Sequence, residues 1–283
     1  MNDELEVLSK VYPLISNSYG YLNPDLNKYI PDLLLKINDH KYAITIVTNI
    51  TSLTDFSIAK NIHKQRNYYD SLGYEALFFI ERIHLGIDID GHSLVLWATE
   101  RESLTTQKAD LHWQSFLSQL APINEQQQVL KLPNTELNVR SIMYITPANL
   151  EIAIEAFHVL EQPNTTPAKA YFLSDPYTLT FSQAFKLDND SLTLADSQIE
   201  SEQQAKYAAT FQRAKTIYFE EQEKLKRIKE EQELQFKLKA EKRKKQTDEN
   251  RKDYQENFKN STYQKATPNK RLEMLRRIYN SNN

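Results

Sequence analysis

The sequence predicts a mixed α/β body followed by a long, charged helix. Three observations predict it. Two apolar runs flank the turn-forming pair Asn38-Asp39, apolar residues from Asp55 to Leu72 fall at helical spacing before Gly73 and another apolar run, and from Asp196 to about residue 258 the chain contains neither Gly nor Pro. The first pattern is that of a β-hairpin. The second is that of a helix leading into a buried strand. The third, rich in Glu, Gln, Lys, Arg and Ala, is that of a long helix by composition.

The elements follow in chain order. Residues 3–16 place Leu5, Leu8 and Val11 or Tyr12 on one helical face, limited by Pro13. Tyr19 to Leu22 predicts a short strand. Asp32–Ile37 and Tyr42–Val47 are the two arms of the hairpin. Thr48–Thr54 is a polar connection holding several candidate N-caps. Over Asp55–Leu72 the spaced apolar residues are Phe56, Ala59, Ile62, Tyr69 and Leu72, and Gly73 supplies the left-handed residue that ends a helix. Ala76–Ile80 is a buried strand, and its return through a helix implies a parallel or mixed sheet. Residues 87–97 suggest a hairpin turning at Asp90-Gly91, 110–120 and 148–160 read as helices, and Ser141–Ile145 and Tyr171–Leu173 read as strands. Pro268 stands at the first position of a last amphipathic helix bearing Leu272, Leu275, Ile278 and Tyr279. The expected organisation is a core over 1–100, an extension of the same body over 101–195, and a helical tail over 196–283.

Composition narrows the function classes. The chain has no cysteine, which excludes disulfides and thiolate metal sites and fits a cytoplasmic setting. Its six histidines form no HxxxH or HExxH pair, so no zinc site is expected. Four glycines, the last at Gly91, build no phosphate-cradling loop. No apolar run approaches the roughly 18 residues a membrane span needs, and the acidic N-terminus is unlike a secretory signal. The net charge of −3 conceals a split: residues 1–223 carry 17 Lys and Arg against 29 Asp and Glu, whereas residues 224–283 carry 18 against 9. A basic segment attached to an acidic body attracts polyanions or an acidic protein surface.

The stretch IPDLLLKINDHKYAITIVTN (30–49), followed by QRNYYDSLGYEALFFIE (65–81), resembles the nuclease-like domain of the CoiA-like competence protein family, a branch of the PD-(D/E)xK nuclease-like group. The resemblance implies a restriction-endonuclease-like mixed sheet with flanking helices. The family pattern is Asp in a first strand, a hairpin, a strand carrying Glu-x-Gln or Glu-x-Lys, a helix with Arg and Tyr before Gly, and an aromatic-rich strand. Asp32, Tyr69 and Gly73 match it, Gln65 stands where the arginine is expected with Arg66 next, and Thr45 and Val47 replace the second carboxylate and its partner. Phosphodiester hydrolysis by this route needs a divalent cation, commonly Mg²⁺, held by carboxylates on neighbouring strands. A hydroxyl and an isopropyl group are poor substitutes, so no intact catalytic set and no cofactor are expected.

Each feature also has a plain structural explanation. Asp32 suits a strand start, Thr45 and Val47 suit any strand, and Tyr68 and Tyr69 suit packing. The acidic residues Asp88, Asp90, Glu100 and Glu102 are either a solvated surface or a relocated metal site, which would make an active nuclease of Asp32 with Asp88 or Asp90. The run Lys237, Lys239, Lys242, Arg243, Lys244 and Lys245 is either a solvated helix face or a non-specific DNA grip. Residues 211–228 carry a thin apolar stripe that could meet a partner helix: Phe211, Tyr218 and Leu225 share one seam, Ala214 and Ile228 the other, and Glu221 breaks the frame. Three readings follow: a catalytically degenerate nuclease-like binder, an active metal nuclease, and a helical assembly protein.

Overall fold

The computed structural model describes residues 15–82, 86–87, 93–132, 137–148, 151–162, 165–185, 187–188, 191–260 and 265–281. The chain forms two units, Met1–Thr216 and Ile217–Asn283. The first is built on a ten-stranded mixed sheet. Strands β1 (Ile15–Tyr19), β2 (Leu33–Ile37) and β3 (His40–Val47) form an antiparallel meander. Helix α1 (Asp55–Ser71) then crosses to β4 (Glu75–Glu81), which runs parallel to β3. Strand β7 (Val139–Ala148) adds in parallel on the far side of β4. Antiparallel pairing continues through β8 (Glu151–Gln162), β9 (Lys169–Phe172), β6 (Ser93–Val95) and β5 (Gly86–Ile87), and β10 (Tyr177–Thr180) also pairs with β8. Strands β7 to β10 thus lie in one sheet with those of 1–100. A separate small hairpin joins β11 (Leu187–Asp188) and β12 (Ser191–Leu192).

Local chemistry explains the first half. Asn38 turns the hairpin with φ 51°, a conformation asparagine tolerates better than most residues. Gly73, at φ 75°, stops α1 by donating to the Asp70 carbonyl at 3.0 Å, while Tyr74 N–H reaches Tyr69 O at 3.0 Å. Ala59, Ile62 and Tyr69 of α1 are buried as their spacing implies, whereas Phe56 is exposed. Gly20 lies so close to Pro31 that a Cβ would fall 2.0 Å from its carbonyl oxygen. Only glycine permits that approach, which fixes the end of β1 against the start of β2.

Both faces of the sheet are covered. One face carries Leu34, Ala43, Val47, Phe78, Ile80, Tyr144, Phe157 and Val159, packed with Ile62 and Tyr69 of α1. The other carries Leu33, Leu35, Ile44, Leu77, Phe79, Met143 and Ile154, packed with Leu179, Phe185, Leu192 and Leu194. A third cluster gathers Trp113 and Leu117 of α3 (Lys108–Leu120) with Val139, Leu160, Leu173 and Tyr207. Helices α2 (Ala98–Ser103), α4 (Ile123–Leu130) and α5 (Phe181–Ala184) complete this unit, together with residues 197–216 of the long helix α6 (Ser197–Asn260). The second unit holds the rest of α6 and α7 (Pro268–Ser281).

Two expectations are corrected. Tyr19–Leu22 is not a strand: β1 ends at Tyr19, and Gly20–Leu22 form a 3-10 turn. Of the helix expected over 148–160, Ala148 ends β7 and residues 151–160 are not helical but most of β8. That strand is flanked by β7 on one side and by β9 and β10 on the other, and it is buried on both faces. A strand buried on both faces needs no apolar–polar alternation, and its Ala and Glu content then imitates a helix. The helix expected at 3–16 and the turn expected at Asp90-Gly91 fall largely or wholly outside the described residues, although Ile15 and Ser16 belong to β1.

Candidate functional site

Three places bear on function. The first is the nuclease-like position. The register Leu33↔Ile44, extended by one pair, sets Asp32 opposite Thr45. Asp32 is exposed, and its Oδ2 accepts the Ile46 N–H at 2.7 Å. Val47 is buried in the apolar core. The Thr45 and Tyr69 hydroxyls face one another near the Asp32 charge, yet neither finds a hydrogen-bond partner of proper geometry among the described residues. Burial pushes the Tyr69 phenol up to about 12, so it stays protonated at neutral pH. Asp32 is therefore joined there by two hydroxyls, and one of its oxygens already serves the backbone.

The neighbouring motif residues brace the fold. Arg66 Nη2 donates to the carbonyls of Glu102 (2.9 Å) and Leu104 (3.2 Å), and its guanidinium lies 5.1 Å from the Phe78 ring centre. Tyr68 donates to Asp25 O at 3.0 Å and packs edge-on against Tyr29. Of the acidic residues singled out above, Asp88 and Asp90 lie outside the described residues. Glu100 is buried and accepts hydrogen bonds from Trp97 N–H (2.8 Å) and the Tyr144 hydroxyl; burial raises its pKa. Glu102 meets His63 Nδ1 at 3.2 Å nearer the surface. Among the described residues, no group of three or more His, Asp or Glu side chains is arranged to hold a metal ion.

The second place is a buried charge cluster that sequence reasoning missed. His158 of β8 is 1% exposed. Its Nδ1 lies 2.7 Å from Asp110 Oδ1 and its Nε2 lies 3.0 Å from Glu200 Oε1. Both ring nitrogens face carboxylate oxygens, so both carry hydrogen and the ring is an imidazolium. Burial alone would pull its pKa down, but the hydrogen bonds and charges of Asp110 and Glu200 outweigh burial and push it up to about 9. Asp110 Oδ1 also accepts from Ser141 Oγ at 2.7 Å, and Oδ2 accepts Gln107 N–H at 2.7 Å. Glu200 further accepts from Trp113 Nε1 and the Tyr177 hydroxyl. Burial raises the pKa of Glu200, but the His158 hydrogen bond and charge, with these two donors, bring it below the usual carboxylate range. The cluster ties β8, α3, β10 and the start of α6 together and carries a net charge of −1. Its acids stand 48 and 42 residues from His158 along the chain, so no local motif announces it.

The third place is the helical tail. Lys237, Lys239, Lys242, Arg243, Lys244 and Lys245 are all exposed on uninterrupted helix. The apolar stripe over 211–228 divides sharply. Phe211 is 0% exposed within the first unit, whereas Ile217, Leu225 and Ile228 are each about half exposed. The described residues contain no helix long and apolar enough to cross a membrane.

Comparison of the chain with protein-family models, curated proteins and solved structures finds no match.

Proposed function

We propose that this protein is a catalytically degenerate nuclease-like protein that binds nucleic acid non-specifically, in DNA handling of the competence type. One observation carries the reading: where phosphodiester hydrolysis would require a second metal-binding carboxylate beside Asp32, the chain places the Thr45 hydroxyl. The strand–hairpin–strand–helix–strand order over 33–81 supports a restriction-endonuclease-like core, since it carries Asp32 and Thr45 at the positions the resemblance implies. Binding falls to the exposed cations of 237–245, which neutralise backbone phosphates and read no bases.

The test incubates the full chain with labelled single- and double-stranded DNA in Mg²⁺ or Mn²⁺, with Asp32→Ala as control. No cleavage is expected. Binding should weaken with salt at a log–log slope of roughly −4 to −5, as for four to six neutralised phosphates. Metal-dependent cleavage abolished by Asp32→Ala would instead establish an active nuclease. The half-exposed Ile217, Leu225 and Ile228 favour a second reading, a helical assembly protein, which gains if the chain binds no DNA at low salt.

A further inference from the structure

We propose that α7 binds an anionic lipid surface, lying in the plane of the headgroups with its apolar face in the lipid. Pro268 starts this helix of 14 residues with its φ already set for helix. Leu272, Leu275 and Tyr279 recur at spacings of three and four, Ile278 follows Leu275 by three, and Met274 precedes Ile278 by four, so the five share one face. No residue of α7 is buried, and Leu272, Leu275, Ile278 and Tyr279 are each more than half exposed. Apolar side chains scattered over a surface need no explanation, but a contiguous apolar face marks a place of interaction.

The charges select the occupant. Lys270, Arg271, Arg276 and Arg277 against Glu273 give the helix a net charge of +3. Lys270 stands four residues before Met274, at one border of the apolar face, and Arg276 stands four after Leu272 and three before Tyr279, at the other. Glu273 lies away from that face, with Arg277 3.7 Å from it. Cations at both borders suit a planar surface, whose anionic headgroups lie level with both edges of a half-sunken helix, while the alkyl stems of Lys and Arg reach along the apolar side. A nucleic-acid strand would use the cations and leave the apolar face in water. A second copy of the helix brings the same +3 and sets cations against cations. At roughly 21 Å, α7 is shorter than a hydrocarbon core of about 30 Å, so it lies in the surface and does not cross it. Residues 1–223 carry an excess of acids, which the same lipids repel, so attraction falls to the tail. The proposal is independent of the nuclease-like reading.

The experiment mixes the full chain with vesicles of equal parts phosphatidylcholine and phosphatidylserine, and with vesicles of phosphatidylcholine alone, and reads the bound fraction by flotation. Binding is expected to the first and not to the second, and added salt should weaken it. Leu275→Ala with Ile278→Ala removes apolar area, and Lys270→Gln with Arg276→Gln removes the border cations, while both pairs keep good helix formers in place. Each pair should weaken vesicle binding at least tenfold. DNA binding by 237–245 should be unchanged in the chain carrying Leu275→Ala and Ile278→Ala, which separates failure of this proposal from failure of the nucleic-acid reading. No binding to the anionic vesicles, equal binding to the neutral ones, or undiminished binding in either pair of substitutions would overturn the proposal. Self-association that Leu275→Ala with Ile278→Ala abolishes, without vesicle binding, would assign the face to a second copy instead.

Discussion

Titrating His158 from about pH 6 to about pH 9.5 should remove a defined part of the stability of the first unit. The imidazole is held at about 9 against an ordinary value of 6.5. A group whose folded pKa lies above its unfolded value stabilises fully below the unfolded pKa and ceases to do so as pH rises through the folded one. The window therefore opens near pH 6.5 and closes near pH 9. Each tenfold change in proton affinity corresponds to about 1.4 kcal/mol, so the contribution is about 3 kcal/mol below pH 6 and under about 0.5 kcal/mol at pH 9. Because His158 and Asp110 are buried, added salt should leave most of it intact. Glu200 works in the opposite sense: with its pKa lowered, its contribution is present above the ordinary carboxylate range and is lost as pH falls through the folded value. Urea unfolding of the full chain and of His158→Gln, followed by circular dichroism across this range, isolates the effect. The stability difference between the two should shrink by about 3 kcal/mol from pH 6 to pH 9.5. A difference that stays constant would show that His158 does not titrate as an imidazolium between two carboxylates.

Two further outcomes follow from the same structure. A chain ending at Thr216 should keep the thermal transition of the first unit, whereas one ending at Asp196 should lose it. The shorter chain lacks Glu200 and Phe211, whose loss leaves buried His158 half-paired and a core position empty, at a cost of several kcal/mol in all. Calorimetry of the two chains decides, and equal transitions would refute the assignment of 197–216 to the body. Thr45→Val should be neutral or stabilising within about 1 kcal/mol in urea unfolding, because it removes a buried hydroxyl that has no partner. A loss well beyond that would mean that the Thr45–Tyr69 contact is a working hydrogen bond.

Much of the fold is written locally. The Asn38 turn, the α1 spacing closed by Gly73 and the Gly- and Pro-free run of α6 all act within a few residues, so they are legible without any tertiary contact. The pairing of Asp32 with Thr45 follows as well, because a two-residue hairpin turn fixes the register of its arms. Tertiary structure decided what depends on neighbours distant in sequence. Residues 151–162 became a strand because β7, β9 and β10 satisfy their backbone hydrogen bonds and both sheet faces are covered, an environment that erases the alternation marking an exposed strand. The long helix is continuous in sequence, but its first turns join the body because Glu200 finds His158, Trp113 and Tyr177 there and Phe211 finds a buried place. A buried charge is stable only where opposite charges and donors converge on it. For Asp110, His158 and Glu200 that convergence is made by the crossing of α3, β8 and α6 and by no spacing along the chain.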